Sequence, residues 1–135
     1  MTIDEIQDEV MSEISKINGD IEILLLYIVG SGRILPTMPA EYKAEKNIIK
    51  GCHSKVWIAA IEQNDKMHFY ADSDSIISKG LVSLLIRIYN DQRRDDILTS
   101  DLFFIRQDQL RKFIGTKRSN GFPAMIDQIR CLSKQ

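Results

Sequence analysis

Apolar residues near the N-terminus recur every three or four positions, which predicts two amphipathic helices. Thr2 and Glu5 have the spacing of a capping box, so the first helix begins at Thr2. Asn18-Gly19 interrupts the pattern and should end this helix. A second helix is predicted to begin at Asp20 and to end within Gly30-Ser31-Gly32, before prolines keep the chain irregular.

The period then changes to short runs of apolar and β-branched residues, at 56–62 and 67–72, on either side of Asn64-Asp65. This pattern predicts a β-hairpin with a two-residue turn. A further run at 47–50 favours a third antiparallel strand, because three strands are more stable than an isolated hairpin. One face of the hairpin should lie on the core, and it carries Val56, Ile58, Ala60, Met67, Phe69 and Ala71.

Helical spacing returns after the hairpin. Ser73-Asp74-Ser75 offers N-caps for a long helix with an apolar stripe from Ile77 to Ile88. Short helical segments are expected at 95–98 and 102–113, followed by a polar break at 115–121 and a final amphipathic helix. Helices at both ends and a small sheet between them predict one α+β domain spanning residues 1–135.

Charge and hydropathy exclude several classes of function. The chain has 18 Lys and Arg against 19 Asp and Glu, so no excess of positive charge points to nucleic acid or an anionic membrane. The longest apolar run, 23–29, is far shorter than the roughly 20 residues of a membrane-spanning helix. The acidic N-terminus does not resemble a secretory signal. We therefore expect a cytoplasmic protein whose two cysteines are reduced.

Cys52 is the residue most suggestive of chemistry. It follows Gly51 and precedes His53 and Ser54, in a break between the predicted first strand and the hairpin. A thiol in a loop held by a sheet is well placed to react, although cysteine is also among the most frequently buried residues. The residues alone leave these two interpretations equally supported. Cys131, near the end of the last helix, is assigned no role.

The surroundings of Cys52 favour a particular chemistry. A hydrolase would need a base within hydrogen-bond reach, but adjacent side chains in extended chain point apart, which argues against His53. In the hairpin, His68 would lie about 30 Å along the strand from the cysteine. Zinc-site spacings are absent from the sequence. The pattern favours attack of a thiolate on a sulfur–sulfur bond, which needs no base. Arg118 is either a solvated charge beside a helix cap or a neighbour that lowers the pKa of a thiol.

Three blocks of residues together resemble the SufE family of sulfur-acceptor proteins. The resemblance extends from about Ile28 to the C-terminus. The first block consists of Leu35-Pro36, Pro39, Asn47, Lys50-Gly51-Cys52, Ser54 and Val56-Trp57. The second consists of Ala71-Asp72-Ser73-Asp74, Ile77 and Lys79-Gly80-Leu81. The third consists of Arg118-Ser119-Asn120-Gly121 and Met125.

The resemblance implies a partner protein without stand-alone enzyme activity. Cys52 would accept sulfane sulfur from a pyridoxal-phosphate-dependent desulfurase of the SufS type and pass it to a SufBCD-type iron–sulfur scaffold. The pyridoxal phosphate belongs to the desulfurase, and this chain is expected to hold no cofactor or metal. The implied fold is that of SufE and IscU, with about three strands and the cysteine on a loop between strands. A shielded Cys52 is expected, in a monomer or a homodimer.

Supporting residues and alternative functions complete the expectations. Gly51, His53 and Ser54 accompany Cys52 in the loop, and His53 would modify the thiol without acting as a catalyst. Supporting positions elsewhere in the chain are Asp74, Arg118, Asn120 and Gly121. Asp74 is expected to cap the long helix or hold the loop. The alternatives are a partner of a Csd-type desulfurase, an IscU-like scaffold and a thiol hydrolase.

Overall fold

A computed structural model describes residues 1–116 and 121–135, which form six α-helices and one pair of strands, so the predicted α+β class is confirmed. Short 3-10 turns lie between the larger elements. None of the helices in these two ranges is both long and apolar enough to cross a membrane. In chain order the elements are α1 (Ile3–Ser15), α2 (Ile21–Arg33), β1 (Val56–Gln63), β2 (Lys66–Ser73), α3 (Ile76–Tyr89), α4 (Arg94–Thr99), α5 (Asp108–Ile114) and α6 (Phe122–Lys134).

The first two helices begin where the sequence predicts. The Thr2 side chain accepts from the backbone N–H of Glu5, whose carboxylate accepts from the backbone N–H of Thr2, completing the capping box. Asp20 caps α2 by accepting the N–H groups of Glu22 and Ile23.

The predicted end of α2 at Gly30 or Gly32 is wrong, because the helix continues to Arg33. Gly32 instead marks the place where α2 crosses α3. A Cβ on Gly32 would lie 2.9 Å from the backbone nitrogen of Gly80. A Cβ on Gly80 would lie 2.6 Å from the carbonyl carbon of Ile28 and closer still to its oxygen. Two glycines therefore allow the helix backbones to approach closely, and they do not end either helix.

The hairpin forms as predicted. Its antiparallel register runs from Val56 opposite Ser73 to Gln63 opposite Lys66. Asn64 and Asp65 make the two-residue turn, with φ of 52° and 64°, the positive values that a type I′ turn requires. The face assigned to the core is buried at every predicted position except Ala60, which is partly exposed. This inner face packs against α3 and α6.

The predicted third strand is wrong. Among the described residues the sheet has two strands, and the 47–50 run contributes only one isolated antiparallel bridge, from Ile48 to Trp57. A 3-10 turn over Glu45–Asn47 precedes the bridge, and a turn at Gly51 with φ of 93° follows it. The chain therefore stays extended for too few residues to build a ladder.

Candidate functional site

The isolated bridge sets the geometry of the Cys52 loop. Ile48 pairs with Trp57, and the backbone N–H of Ile49 donates to the carbonyl of Val56 at 2.8 Å. This bond closes residues 50–55 into a loop that contains Cys52. Gly51 lies in the left-handed region, which favours glycine at this bend. The cysteine thus sits on a short loop closed at its base.

Polar contacts tie the loop to the corner between β2 and α3. The backbone N–H of Lys55 donates to Oδ1 of Asp74 at 2.9 Å. The carbonyl of Lys55 accepts from the hydroxyl of Ser73 at 2.8 Å and from the N–H of Asp74 at 3.2 Å. The hydroxyls of Ser54 and Ser78 lie 2.9 Å apart. Sequence reasoning selected Asp74 and Ser54 but missed the roles of Ser73 and Ser78.

The two uses predicted for Asp74 have different outcomes. Its carboxylate holds the loop through Lys55, whereas the N-cap of α3 is Ser75, whose side chain accepts from the N–H of Ser78 at 3.3 Å. The block around Asp74 therefore serves both the loop and the helix. The local signal was a run of three capping residues, of which Ser75 caps the helix while the side chains of Ser73 and Asp74 bind the neighbouring loop.

The thiol of Cys52 rests on the backbone where α6 begins. Cys52 is half-buried, and its Sγ lies 3.9 Å from the carbonyl oxygen of Gly121, a weak hydrogen bond. A Cβ on Gly121 would lie 3.0 Å from Cβ of Cys52 and well inside contact distance of Sγ. Only glycine at position 121 leaves room for the sulfur in this position.

Burial raises the pKa of the Cys52 thiol. Water that would stabilise the thiolate is partly excluded, so the protonated form is favoured. The resting protein therefore protects its thiol from reagents that attack thiolates.

The pH dependence of alkylation should report this raised pKa. In a Cys131→Ser protein, the reaction of Cys52 with iodoacetamide should have its midpoint at a higher pH in the folded chain than in the same chain unfolded in urea. The sign follows because the folded state binds the thiol proton more tightly. Mass spectrometry of quenched samples gives the rates. An equal or lower midpoint in the folded protein would contradict the burial described above.

Removing the carboxylate of Asp74 should loosen the loop. An Asp74→Ala protein is expected to lose about 1 kcal/mol of unfolding free energy, the usual net value of one hydrogen bond. Amide exchange at Lys55 should become faster, because its N–H loses its acceptor. Asp74→Asn keeps an oxygen acceptor and should remain close to wild type in both measurements. If Asn and Ala have equal effects, the hydrogen bond does not hold the loop.

Four further residues were weighed as neighbours of the thiol: His53, His68, Arg118 and Asn120. His53 is exposed next to Cys52 in the chain, and Nδ1 of His68 lies 3.4 Å from a carboxylate oxygen of Asp91. The predictions for Arg118 and Asn120 lie outside the described residues.

Residues that could bind a metal are also dispersed. No group of three or more His, Cys, Asp or Glu side chains suited to a metal ion occurs in residues 1–116 or 121–135. Cys131 is exposed on α6, beside a groove of about 500 Å³ between that helix and residues 46–50.

Comparisons with known proteins agree with one another. The family model described as SufE: Fe-S metabolism associated domain matches residues 8–132. The chain is 32% identical over 113 residues to the cysteine desulfuration protein SufE of Wigglesworthia glossinidia brevipalpis, covering 79% of this chain and 78% of that protein. It is 32% identical over 106 residues to the sulfur acceptor protein CsdE of Escherichia coli strain K12, covering 77% and 72% respectively.

The fold also has a counterpart among solved structures. A solution structure of a hypothetical protein from Thermus thermophilus is similar with a TM-score of 0.72, covering 92% of this chain and 93% of that chain. At 15% sequence identity, this likeness shows the fold alone.

Proposed function

The chain belongs to the SufE family, and from this premise we propose that it accepts sulfur from a cysteine desulfurase as a persulfide on Cys52. The observation that carries the proposal is the placement of Cys52 in a closed loop, with its sulfur against Gly121. The relatives' names, a cysteine desulfuration protein and a sulfur acceptor protein, support the same chemistry.

The transfer itself is a thiol–disulfide type of exchange. The Cys52 thiol gives up its proton, and the thiolate attacks the outer sulfur of a cysteine persulfide on the desulfurase. A new sulfur–sulfur bond forms at Cys52 while the old one breaks, and the desulfurase cysteine leaves as a thiolate. One sulfur atom moves without net oxidation or reduction, and the released proton balances the departing thiolate. No base, metal or cofactor on this chain is required.

The proposal also names the sulfur donor, the sulfur recipient and the cellular compartment. We assign the donor to the SufS type and the recipient to a SufBCD-type iron–sulfur scaffold. Pyridoxal phosphate stays in the desulfurase, so this chain stimulates an enzyme and is not one by itself. The exchange would take place in the cytoplasm, where cysteines stay reduced.

The alternative functions have less support from the site. A Csd-type donor fits the same loop, and the similarity to CsdE keeps it as the second candidate. An IscU-like scaffold needs several ligands near the cysteine, and the described residues provide no such group. A thiol hydrolase needs a base on the sulfur, whereas the hydrogen-bond partner of Sγ in the described part of the chain is a backbone carbonyl.

Intact-protein mass spectrometry tests the proposal. The chain is mixed with cysteine, pyridoxal phosphate and either a SufS-type or a Csd-type desulfurase, and alanine release is followed in parallel. We expect a reductant-sensitive gain of one sulfur atom in wild type and in Cys131→Ser, and none in Cys52→Ser. The donor that gives the faster gain is the partner. A gain that survives in Cys52→Ser would refute the assignment of the acceptor.

A further inference from the structure

The side of α2 that points away from the core is apolar at its centre. The buried residues of α2, Leu24, Ile28 and Gly32, are four positions apart and lie on its inner side. On the opposite side Leu26 is 71% exposed and Val29 is partly exposed. Among the described residues, this one helix carries three of the six exposed large hydrophobic side chains: Ile21, Ile23 and Leu26. Such a concentration of exposed apolar residues indicates a surface that another molecule covers.

Charges of opposite sign lie at the two ends of this apolar centre. Four residues with the spacing i, i+4, i+7 and i+11 share the outer face of α2: Glu22, Leu26, Val29 and Arg33. Glu22 and Arg33 are exposed, and neither forms an ion pair with a residue in 1–116 or 121–135. The outer face of α2 is therefore negative where the helix begins, apolar in the middle and positive where the helix ends.

This order of charges is self-complementary in one arrangement. When two copies of the face meet antiparallel, with a two-fold axis beside residues 27 and 28, Glu22 of each chain lies opposite the partner's Arg33. The same rotation places Leu26 opposite the partner's Val29. Antiparallel pairing also puts the negative end of each helix dipole beside the positive end of the other. Parallel pairing would instead bring like charges together.

We propose that the outer face of α2 is the docking site of a second copy of this chain, in a two-fold symmetric homodimer. The spacing of its four residues is that of the contact seam between two packed helices. A second copy necessarily carries the complementary charges at the same spacing, whereas an unrelated surface need not. A lipid surface fits less well, because helices that lie on membranes carry mainly Lys and Arg beside their apolar face, and this face carries Glu22.

The size of the face determines how strongly the two copies associate. A helix of 13 residues is about 20 Å long, so one pair of such helices buries less than the roughly 1,200–2,000 Å² of stable complexes. We therefore expect a weak, concentration-dependent dimer, with a dissociation constant of about 100 µM.

Sedimentation equilibrium of charge-reversed variants tests the pairing. A Cys131→Ser background with reductant excludes dimers linked by a disulfide. At about 50 mM NaCl, Glu22→Arg should weaken dimerisation about tenfold, because both ion pairs become pairs of arginines. The double variant Glu22→Arg/Arg33→Glu restores opposite charges and should dimerise like wild type. The matched control, Glu45→Arg, makes the same change in net charge as Glu22→Arg at an exposed residue outside α2 and should also dimerise like wild type.

A substitution at the centre of the face tests the apolar contact. Leu26→Gln should weaken dimerisation about tenfold and leave the fold intact, because Leu26 contributes little to the core. Circular dichroism checks that each variant keeps its helices. The proposal is refuted if wild type remains a monomer at about 1 mM, ten times the expected dissociation constant. It is also refuted if Leu26→Gln dimerises like wild type, or if the double variant associates no better than Glu22→Arg.

Discussion

A Gly121→Ala protein is expected to lose about 2 kcal/mol of unfolding free energy, in the range of overpacked sites. The new methyl group would overlap Sγ of Cys52 and lie 3.0 Å from its Cβ. Rotation of the cysteine side chain moves the sulfur but leaves the contact between the two Cβ atoms. Either the thiol leaves its position or the start of α6 shifts. Urea denaturation gives the change in stability.

The same substitution should expose the thiol. In a Cys131→Ser background, we expect Cys52 of the Gly121→Ala protein to react about tenfold faster with iodoacetamide near neutral pH. Displacement from the backbone of Gly121 returns water to the sulfur and reverses the burial that raises its pKa. Unchanged alkylation together with unchanged stability would show that position 121 does not confine the sulfur.

A double-mutant cycle isolates the contact between residues 52 and 121. Cys52→Ala removes Sγ, so the cost of Gly121→Ala should be smaller in that background by about 1 kcal/mol, as expected for residues in contact. Some cost remains because Cα and Cβ of residue 52 stay 3.5 Å and 3.0 Å from the added methyl position. If Gly121→Ala lowers the unfolding free energy equally with cysteine and with alanine at position 52, the loss does not come from the contact with Sγ.

Local sequence patterns predicted the elements whose signals lie within a few residues. Thr2 and Glu5 define the start of α1 through contacts three residues apart, and Asn64-Asp65 defines a turn through its own backbone preference. The predicted third strand does not form, because its fate depends on the residues that flank the apolar run. Its apolar residues are compatible with a strand, but the turns before and after them leave one bridge in place of a ladder.

The site was predictable only in part. The residues around Cys52 and the family blocks selected Cys52, Asp74 and Gly121 as candidates, but no local pattern joins residues 52 and 121, which are 69 positions apart. The contact depends on how the start of α6 packs against the loop. The roles of Ser73 and Ser78 likewise depend on the corner between β2 and α3 reaching the loop.

The glycines of α2 and α3 show that the identity of a residue does not by itself reveal its structural role. Gly30 and Gly32 were interpreted as a helix stop, although α2 passes through both. Gly80, which the sequence placed in a family block, proves to be the point where α3 meets the backbone of Ile28. A glycine that ends a helix and a glycine that lets another helix approach look the same in the sequence, because both structural roles require a residue without a side chain.

Replacing Gly80 by alanine should cause the largest loss of stability predicted for this chain. The added Cβ would lie 2.6 Å and 2.7 Å from the carbonyl carbon and Cγ2 of Ile28, and closer still to its backbone oxygen. A backbone atom cannot rotate away, so α2 and α3 must separate. Alanine gains about 1 kcal/mol of helix propensity over glycine, yet we expect a net loss of about 3 kcal/mol. Urea denaturation monitored by circular dichroism measures it.

Gly30→Ala is the matched control on the opposing helix. Gly30 also lies inside a helix, but a Cβ there meets nothing within 4 Å. The gain in helix propensity is therefore unopposed, and Gly30→Ala should raise the unfolding free energy by up to about 1 kcal/mol. The same chemical change thus has opposite signs at two positions, depending only on which side of α2 or α3 faces the crossing. If both variants are stabilised, the helices can move apart at little cost, and the close crossing does not determine how the chain packs.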